Sequence, residues 1–228
     1  DIFILGEAAS ADIDLAVDYT TPPKESCDTV VTFRYFAEDK RQVEPDLPQI
    51  GQPVKLDIPG FKSNMLEWQK RLEGVSYPTL YWSNHDMPRI LSRFAPKMGS
   101  KACAKMLATL MYLQRGIPCI YYGEELGMRS QTLGTVADFE DPQIVDFAKQ
   151  AKKKGWRDSE ILHKASQAHK MAARLPLPFD TTAYAGFSKV QPWKWSKDEN
   201  VASIAEQMGD PDSVLNFYRQ ILVSPNPK

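Results

Sequence analysis

Tyr77-Pro78-Thr79-Leu80-Tyr81-Trp82-Ser83-Asn84-His85-Asp86-Met87-Pro88-Arg89 is the stretch that decides the fold. An apolar, aromatic run of strand type stops at Asn-His-Asp, and Pro88 forbids its continuation as a regular strand or helix. A strand that delivers His85 and Asp86 at its C-terminal end puts an imidazole and a carboxylate at the mouth of a sheet or barrel. That is where α/β folds keep their chemistry. The alternative use of Asp86 is as N-cap of a segment starting at Pro88, because Asp-x-Pro is a good helix start.

Two further stretches repeat the pattern. Asp1-Ile2-Phe3-Ile4-Leu5-Gly6-Glu7 is a short apolar strand ending in a carboxylate, with Gly6 allowing a sharp turn before it. Gly116-Ile117-Pro118-Cys119-Ile120-Tyr121-Tyr122-Gly123-Glu124-Glu125-Leu126-Gly127-Met128 again runs strand, glycine, acids. Three strand ends of this kind place several carboxylates around one rim, with Glu7 and Asp86 facing one cavity. Glycoside hydrolysis needs such a set, one acid to protonate the leaving oxygen and others to attack or stabilise an oxocarbenium-like centre.

Strand and helix signals alternate along the chain, as in parallel α/β folds. Residues 2–6 read as a strand and 10–19 as a short helix. Residues 29–35 are β-branched and aromatic, hence a second strand, and residues 37–62, with four prolines, read as a long loop. Ser63 is expected to cap a helix through about Glu73 with Met65, Leu66, Trp68 and Leu72 on its apolar face. The strand 77–82, a helix over 100–114 and the strand 117–122 follow. Pro142 opens a helix to about Lys154, whose Lys152-Lys153-Lys154 run suits a solvated helix end. Another helix runs from Ser159 to about Ala173, with His163 and His169 expected on its surface. Residues 174–200 read as a loop over the rim, and Asp210-Pro211-Asp212-Ser213 starts a last helix.

Composition sets outer bounds. Hydrophobic residues make up 43% and charged residues 25%, ordinary globular values, and the net charge of -1 gives no electrostatic reason to expect nucleic acid or an anionic membrane as partner. No apolar run approaches the ~20 residues of a membrane span. Cys27, Cys103 and Cys119 are odd in number and lack metal-ligand spacing, which fits buried free thiols in a reducing, cytoplasmic compartment.

Gly6-Glu7, Asn84-His85-Asp86-x-Pro88-Arg89 and the Gly116 to Met128 segment resemble successive signature regions of the α-amylase superfamily of retaining glycosidases. Ala185-Gly186-Phe187-Ser188, Pro192-Trp193 and Asp210-Pro211-Asp212-Ser213-Val214-Leu215-Asn216-Phe217-Tyr218 extend the likeness to the oligo-1,6-glucosidase and dextran glucosidase group. The resemblance implies the C-terminal half of a (β/α)8 TIM-type barrel and a fragment of a longer protein. Residues 1–224 would form the second half of the catalytic barrel, with a rim insertion at about 130–200. Residues 225–228 would be a truncated tail before a missing C-terminal β domain. In this family the nucleophile is an Asp on the strand preceding the acid/base Glu, and no such strand precedes Glu7 here.

Site roles follow from the same resemblance. Glu7 is similar to the general acid/base and Asp86 to the carboxylate that binds sugar hydroxyls and stabilises the charged ring. His85 is similar to a histidine that hydrogen-bonds those hydroxyls. Arg174 stands where the group has an arginine that holds the non-reducing glucose. Arg89 either pairs with a rim carboxylate or reaches sugar. Pro178 and Phe179 replace the group's Gln and Trp, and Met87 stands where many relatives carry Gln. The implied substrate is an α-glucooligosaccharide, hydrolysed without a metal or organic cofactor. The implied partner is the missing N-terminal half, or a second chain, covering the open barrel. The rival function is a non-catalytic, amylase-like interaction module, for which the Glu7, His85, Asp86 and Arg174 set would be unnecessary.

Overall fold

The computed structural model describes residues 2–34, 36, 38–39, 44–95, 101–195 and 201–223. The expected tail at 225–228, Tyr35 of the second strand and residues 196–200 of the rim loop lie outside them. Four short strands carry the architecture. β1 (Leu5–Glu7) pairs in parallel with β2 (Thr29–Val31), Glu7 lying opposite Val31. A small antiparallel hairpin, β3 (Glu38–Asp39) and β4 (Lys55–Leu56), interrupts the next connection. β5 (Thr79–Leu80) then pairs in parallel with β6 (Ile117–Pro118).

Side chains close the gap between the two pairs. Thr79 Oγ1 donates to the Val30 carbonyl at 2.7 Å, Thr29 Oγ1 donates to the Tyr77 carbonyl at 2.6 Å, and the Tyr81 hydroxyl donates to the Thr32 carbonyl. The resulting order is β1-β2-β5-β6, with helices in each connection: α1 (Ile13–Thr20), α2 (Ile58–Arg71), then α3 (Ile90–Phe94) and α4 (Lys101–Tyr112). This is the alternation of the C-terminal half of a (β/α)8 barrel. The regular strands are shorter than the expected runs, but ladder-like bonds flank them, such as Asp28 N–H to the Ile4 carbonyl and Cys119 N–H to the Leu80 carbonyl.

α2 starts at Ile58, five residues before the expected cap at Ser63. Pro59 fits the first helical turn, where a missing N–H costs nothing, and Asp57 occupies the cap position. Its inward face is Phe61, Met65 and Trp68, while Leu66 is 61% exposed and does not belong to it. After β6 come α5 (Pro142–Lys153), α6 (Asp158–Ala168), α7 (Ile204–Gly209) and α8 (Val214–Val223). α7 was not anticipated, although Ser203 and Glu206 form its capping box and spell the Ser-x-x-Glu signal.

Two hydrophobic cores result. The larger joins Phe61, Trp68, Leu80, Trp82, Met111 and Tyr218, and fully buried Trp82 stacks on Phe61 at 5.2 Å and donates Nε1–H to the Leu107 carbonyl at 2.7 Å. The smaller is built by α5, α6 and the turn after them, from Phe139, Ile144, Phe147, Ile161, Met171 and Leu175. Outside both, Ile2, Phe3, Ile4 and Leu5 leave apolar side chains exposed along β1 and the residues before it. Among the described residues, no helix is long and apolar enough to cross a membrane.

One acid expected at the rim is inside the larger core instead. Glu124 is buried and accepts hydrogen bonds from Tyr112 (2.5 Å), Tyr218 (2.9 Å) and Ser83 (3.1 Å). Burial pushes its carboxyl up to about 7 despite the hydroxyl donors, with the Glu125 charge adding to the rise. A carboxyl raised on folding contributes stability that is complete below its unfolded value and is lost as pH climbs through its folded value. Buried His169, whose proton affinity burial lowers, has the opposite slope at the acid end of that window. The Glu124→Gln protein keeps that histidine, so the difference between the two profiles isolates Glu124. Thermal midpoints recorded from pH 5 to pH 8 should fall for the native chain relative to Glu124→Gln; parallel profiles would refute the assignment.

Candidate active site

Glu7 closes β1, and His85 and Asp86 lie on the turn that follows β5, so both strands deliver their polar residues at the same end. One oxygen of Glu7, one ring nitrogen of His85 and one oxygen of Asp86 all lie within 4.8 Å of one another. Glu7 and His85 are exposed and Asp86 is half-buried, so the cluster occupies an open rim.

The Asn-His-Asp turn is locally determined. Asn84 Oδ1 accepts the Asp86 N–H at 2.8 Å and the Asn84 carbonyl accepts the Met87 N–H at 3.2 Å, a tight Asx-type turn that ends the strand. The helix-cap alternative for Asp86 fails, since α3 begins only at Ile90 with Arg89 at its cap position. The Asp86 carboxylate bonds to cations instead. Its Oδ1 accepts from Lys170 Nζ at 2.8 Å and Arg174 Nη2 at 3.0 Å, and its Oδ2 faces His85 Nε2 at 3.5 Å. The Lys170 hydrogen bond, assisted by the His85 and Arg174 charges, holds Asp86 below the usual carboxylate range against the opposing effect of burial.

Arg174 also donates Nε–H to the His85 carbonyl at 2.7 Å, so the turn after α6 is fastened to the Asn-His-Asp turn at two points. Beside Arg174, Tyr122, Phe179, Phe187 and Trp193 line a hollow of about 220 Å³, so the substituted Phe179 shares a hollow with Arg174. Met87 does not point there: it is buried, and its sulfur accepts from Arg93 Nη1 at 3.2 Å.

Arg89 is placed differently from either expectation. It is only 2% exposed, its guanidinium lies against the rings of Tyr121 (5.6 Å) and Tyr122 (5.1 Å), and Nη1 donates to the Tyr122 carbonyl at 2.7 Å. Among the described residues it forms no ion pair within 4 Å, and Nε and Nη2 are buried without hydrogen-bond partners. Burial lowers its proton affinity. Arg89 thus braces the 121–128 turn from below and presents nothing to a ligand at the rim.

Sequence reasoning missed Lys170 and misplaced His169. His169 is buried, not on a surface; its Nε2 bonds Asp141 Oδ2 at 3.2 Å and its Nδ1 accepts the Met171 N–H at 3.3 Å. No local pattern marks Lys170, because it reaches Asp86 only through the turn that follows α6. The donor atoms of Glu7, His85 and Asp86 are close enough to share a cation. Lys170 and Arg174 already supply positive charge to Asp86, so the donor set does not call for one.

The family model for the alpha amylase catalytic domain matches residues 1–224, and the chain belongs to that family. It is 32% identical to the probable oligo-1,6-glucosidase 2 of Bacillus subtilis (strain 168), over 97% of this chain and 39% of that protein. It is 29% identical to the glucan 1,6-alpha-glucosidase of Streptococcus dysgalactiae subsp. equisimilis, over 97% and 42%. A solved structure described as a family GH13_31 enzyme aligns with a TM-score of 0.86 at 41% identity, covering 99% of this chain and 40% of that one. The trehalose-6-phosphate hydrolase of Bacillus licheniformis aligns with a TM-score of 0.80 at 28% identity, covering 96% and 39%. The chain therefore spans about two-fifths of the length of these relatives.

Arg89 and its brace give a structural prediction. Gly123 has φ +84°, and a Cβ there would lie 2.5 Å from Met128 Sδ and 2.6 Å from Arg89 Nη1. Gly123→Ala combines backbone strain with a clash against a buried guanidinium, and should cost about 1–3 kcal/mol. Equilibrium urea unfolding checks it, and an unchanged midpoint would contradict the packing described.

Proposed function

We propose that, within a longer protein of the alpha-amylase family, these residues supply the acid/base side of a retaining hydrolysis that releases terminal glucose from α-linked oligosaccharides. The observation that carries this is the convergence of Glu7, His85 and Asp86 within 4.8 Å at the C-terminal ends of two barrel strands. Glu7 gives its proton to the glycosidic oxygen as a carboxylate nucleophile takes the anomeric carbon. It then removes a proton from the water that attacks the glucosyl ester, so the acid ends each cycle protonated as it began.

Asp86 is assigned the other task, holding sugar hydroxyls and stabilising the cationic ring. The distance to Glu7 alone does not separate the roles, since a retaining pair stands roughly 5–5.5 Å apart. The pairing supports the assignment. Lys170 and Arg174 draw charge from the carboxylate, which weakens it as a nucleophile, and they keep Asp86 ionised as a fixed anion. The nucleophile then comes from outside these 228 residues. Arg174 and His85 hold the terminal glucose, the former making the enzyme exo-acting, and Arg89 has no substrate role.

In this proposal residues 1–224 act as the second half of a catalytic barrel, and the segment from about 130 to 200 packs over its rim. A polypeptide covers the apolar edge at Ile2 to Leu5, either the remainder of the longer chain or a second chain. Cys27, Cys103 and Cys119 are not in disulfides, which fits a reducing, cytoplasmic setting.

The full-length protein should release glucose from one or more of isomaltose, maltose and trehalose 6-phosphate with retention of the α configuration. Glu7→Gln in that protein should lower kcat on unactivated disaccharides by ~10²–10⁴-fold. It should matter far less for α-glucosyl fluoride, whose leaving group needs little protonation. The 228 residues alone should not hydrolyse 4-nitrophenyl α-D-glucoside. Robust turnover by the isolated segment, or an undiminished Glu7→Gln enzyme, overturns the mechanism; a full-length protein inert to every α-glucoside leaves the interaction module as the better reading.

A further inference from the structure

We propose that Lys170 is a positioning residue for Asp86, sharing one carboxylate oxygen with Arg174 so that the other oxygen is presented to substrate beside His85. This rests on the assignment of Asp86 as the sugar-binding carboxylate. Lys170 Nζ stands 2.8 Å and Arg174 Nη2 3.0 Å from the same oxygen, Oδ1, and Oδ2 is turned toward His85. One cation on a carboxylate leaves it free to rotate about its last bond. Two donors converging on one oxygen fix its plane.

Lys170 is 41% exposed, and an exposed lysine pair ordinarily contributes little because the side chain gives up much freedom to make it. Here the backbone beneath it is held from the smaller core. Lys170 opens a 3₁₀ turn, Lys170–Ala173, whose cap residue His169 is buried. The His169 ring accepts the Met171 N–H on Nδ1 and bonds Asp141 through Nε2, the arrangement of a neutral imidazole with its proton on Nε2. Asp141 caps α5 by accepting the Gln143 N–H at 2.8 Å. A chain of bonds from α5 through His169 therefore aims both cations of the turn at Asp86.

The charged groups facing Asp86 are Lys170 and Arg174 from this turn, His85 from its own turn and Glu7 from β1. Glu7 is an anion whenever it acts as base, and its field would favour protonating Asp86 or swinging it away. Arg174 is also bonded to the His85 carbonyl, so its charge is divided between two acceptors. Lys170 supplies the balance. The depressed proton affinity of Asp86, with Lys170 as its largest cause, agrees with the geometry.

The test uses the full-length protein with Lys170→Met, Lys170→Gln and Lys170→Arg. Two readouts are taken: kcat and KM against pH with 4-nitrophenyl α-D-glucoside, and a carbon-13 titration of aspartate carboxyls with Asp86 assigned through Asp86→Asn. In Lys170→Met the Asp86 midpoint should rise toward that of an ordinary aspartate, and the acid limb of kcat/KM should rise with it. The plateau should fall roughly 10- to 100-fold, the effect of a misplaced site group. Lys170→Arg should restore all three. If Lys170→Met does not fold, Lys170→Gln gives the same readouts. An active native enzyme whose Lys170 variants keep the native midpoint and acid limb overturns the proposal. A native enzyme inactive on α-glucosides refutes the functional assignment instead, while the carboxyl titration still decides whether Lys170 holds Asp86.

Discussion

The ion pairing at Asp86 joins the two halves of this molecule. Asp86 stands on a turn leaving the larger core, and Lys170 and Arg174 stand on a turn leaving the smaller one, yet all three meet at a single oxygen. Arg174 adds a bond to the His85 carbonyl, so the contact fixes backbone as well as charge. Without it α5 and α6 would add no charged group to the Asn-His-Asp turn. With it, residues more than eighty positions apart in sequence become one polar constellation.

Asp86 and Glu124 show how two acids at the ends of neighbouring strands acquire opposite character. Asp86, half-buried and paired with cations, is held ionised. Glu124, buried among Tyr112, Tyr218 and Ser83, meets hydroxyl donors but no partner charge within ion-pairing distance among the described residues. Hydroxyls stabilise an anion less than an ammonium or guanidinium does, and burial wins. The strand end alone says nothing about which outcome holds; the next layer of packing does. Arg89 makes the complementary point, since a cation three residues beyond Asp86 lies sealed against Tyr121 and Tyr122 and takes no part in the rim.

Much of the fold was legible because its signals are local. The Asn84 turn, the strand before it and Pro142 at the start of α5 depend on backbone chemistry within a few residues. The meeting of Glu7, His85 and Asp86 at one rim was also legible, from the strand ends that carry them. What was not legible depended on contacts distant in sequence. Leu66 reads as apolar face but turns outward, because the inward positions of α2 are set by Phe61, Met65 and Trp68 against Trp82. Lys170 carries no local mark of function; its role exists only once α6 brings it to Asp86. His169 looks like a surface residue by helical position, and becomes buried because the helix ends at Ala168 and the chain turns in.

The exposed side of β1 connects stability to chemistry. Ile2 to Leu5 present a continuous apolar run to solvent that leads into β1, and Glu7 closes that strand. An edge strand of this kind is a template for pairing with other chains. A polypeptide that covered it and reached Glu7 would replace water next to the cluster with a medium in which charge interactions are several-fold stronger. The Asp86 pairing would then act at much greater strength than it can on an open rim, where water screens it. Covering the apolar edge and strengthening the polar site are thus linked, because the apolar run leads into the strand that carries Glu7.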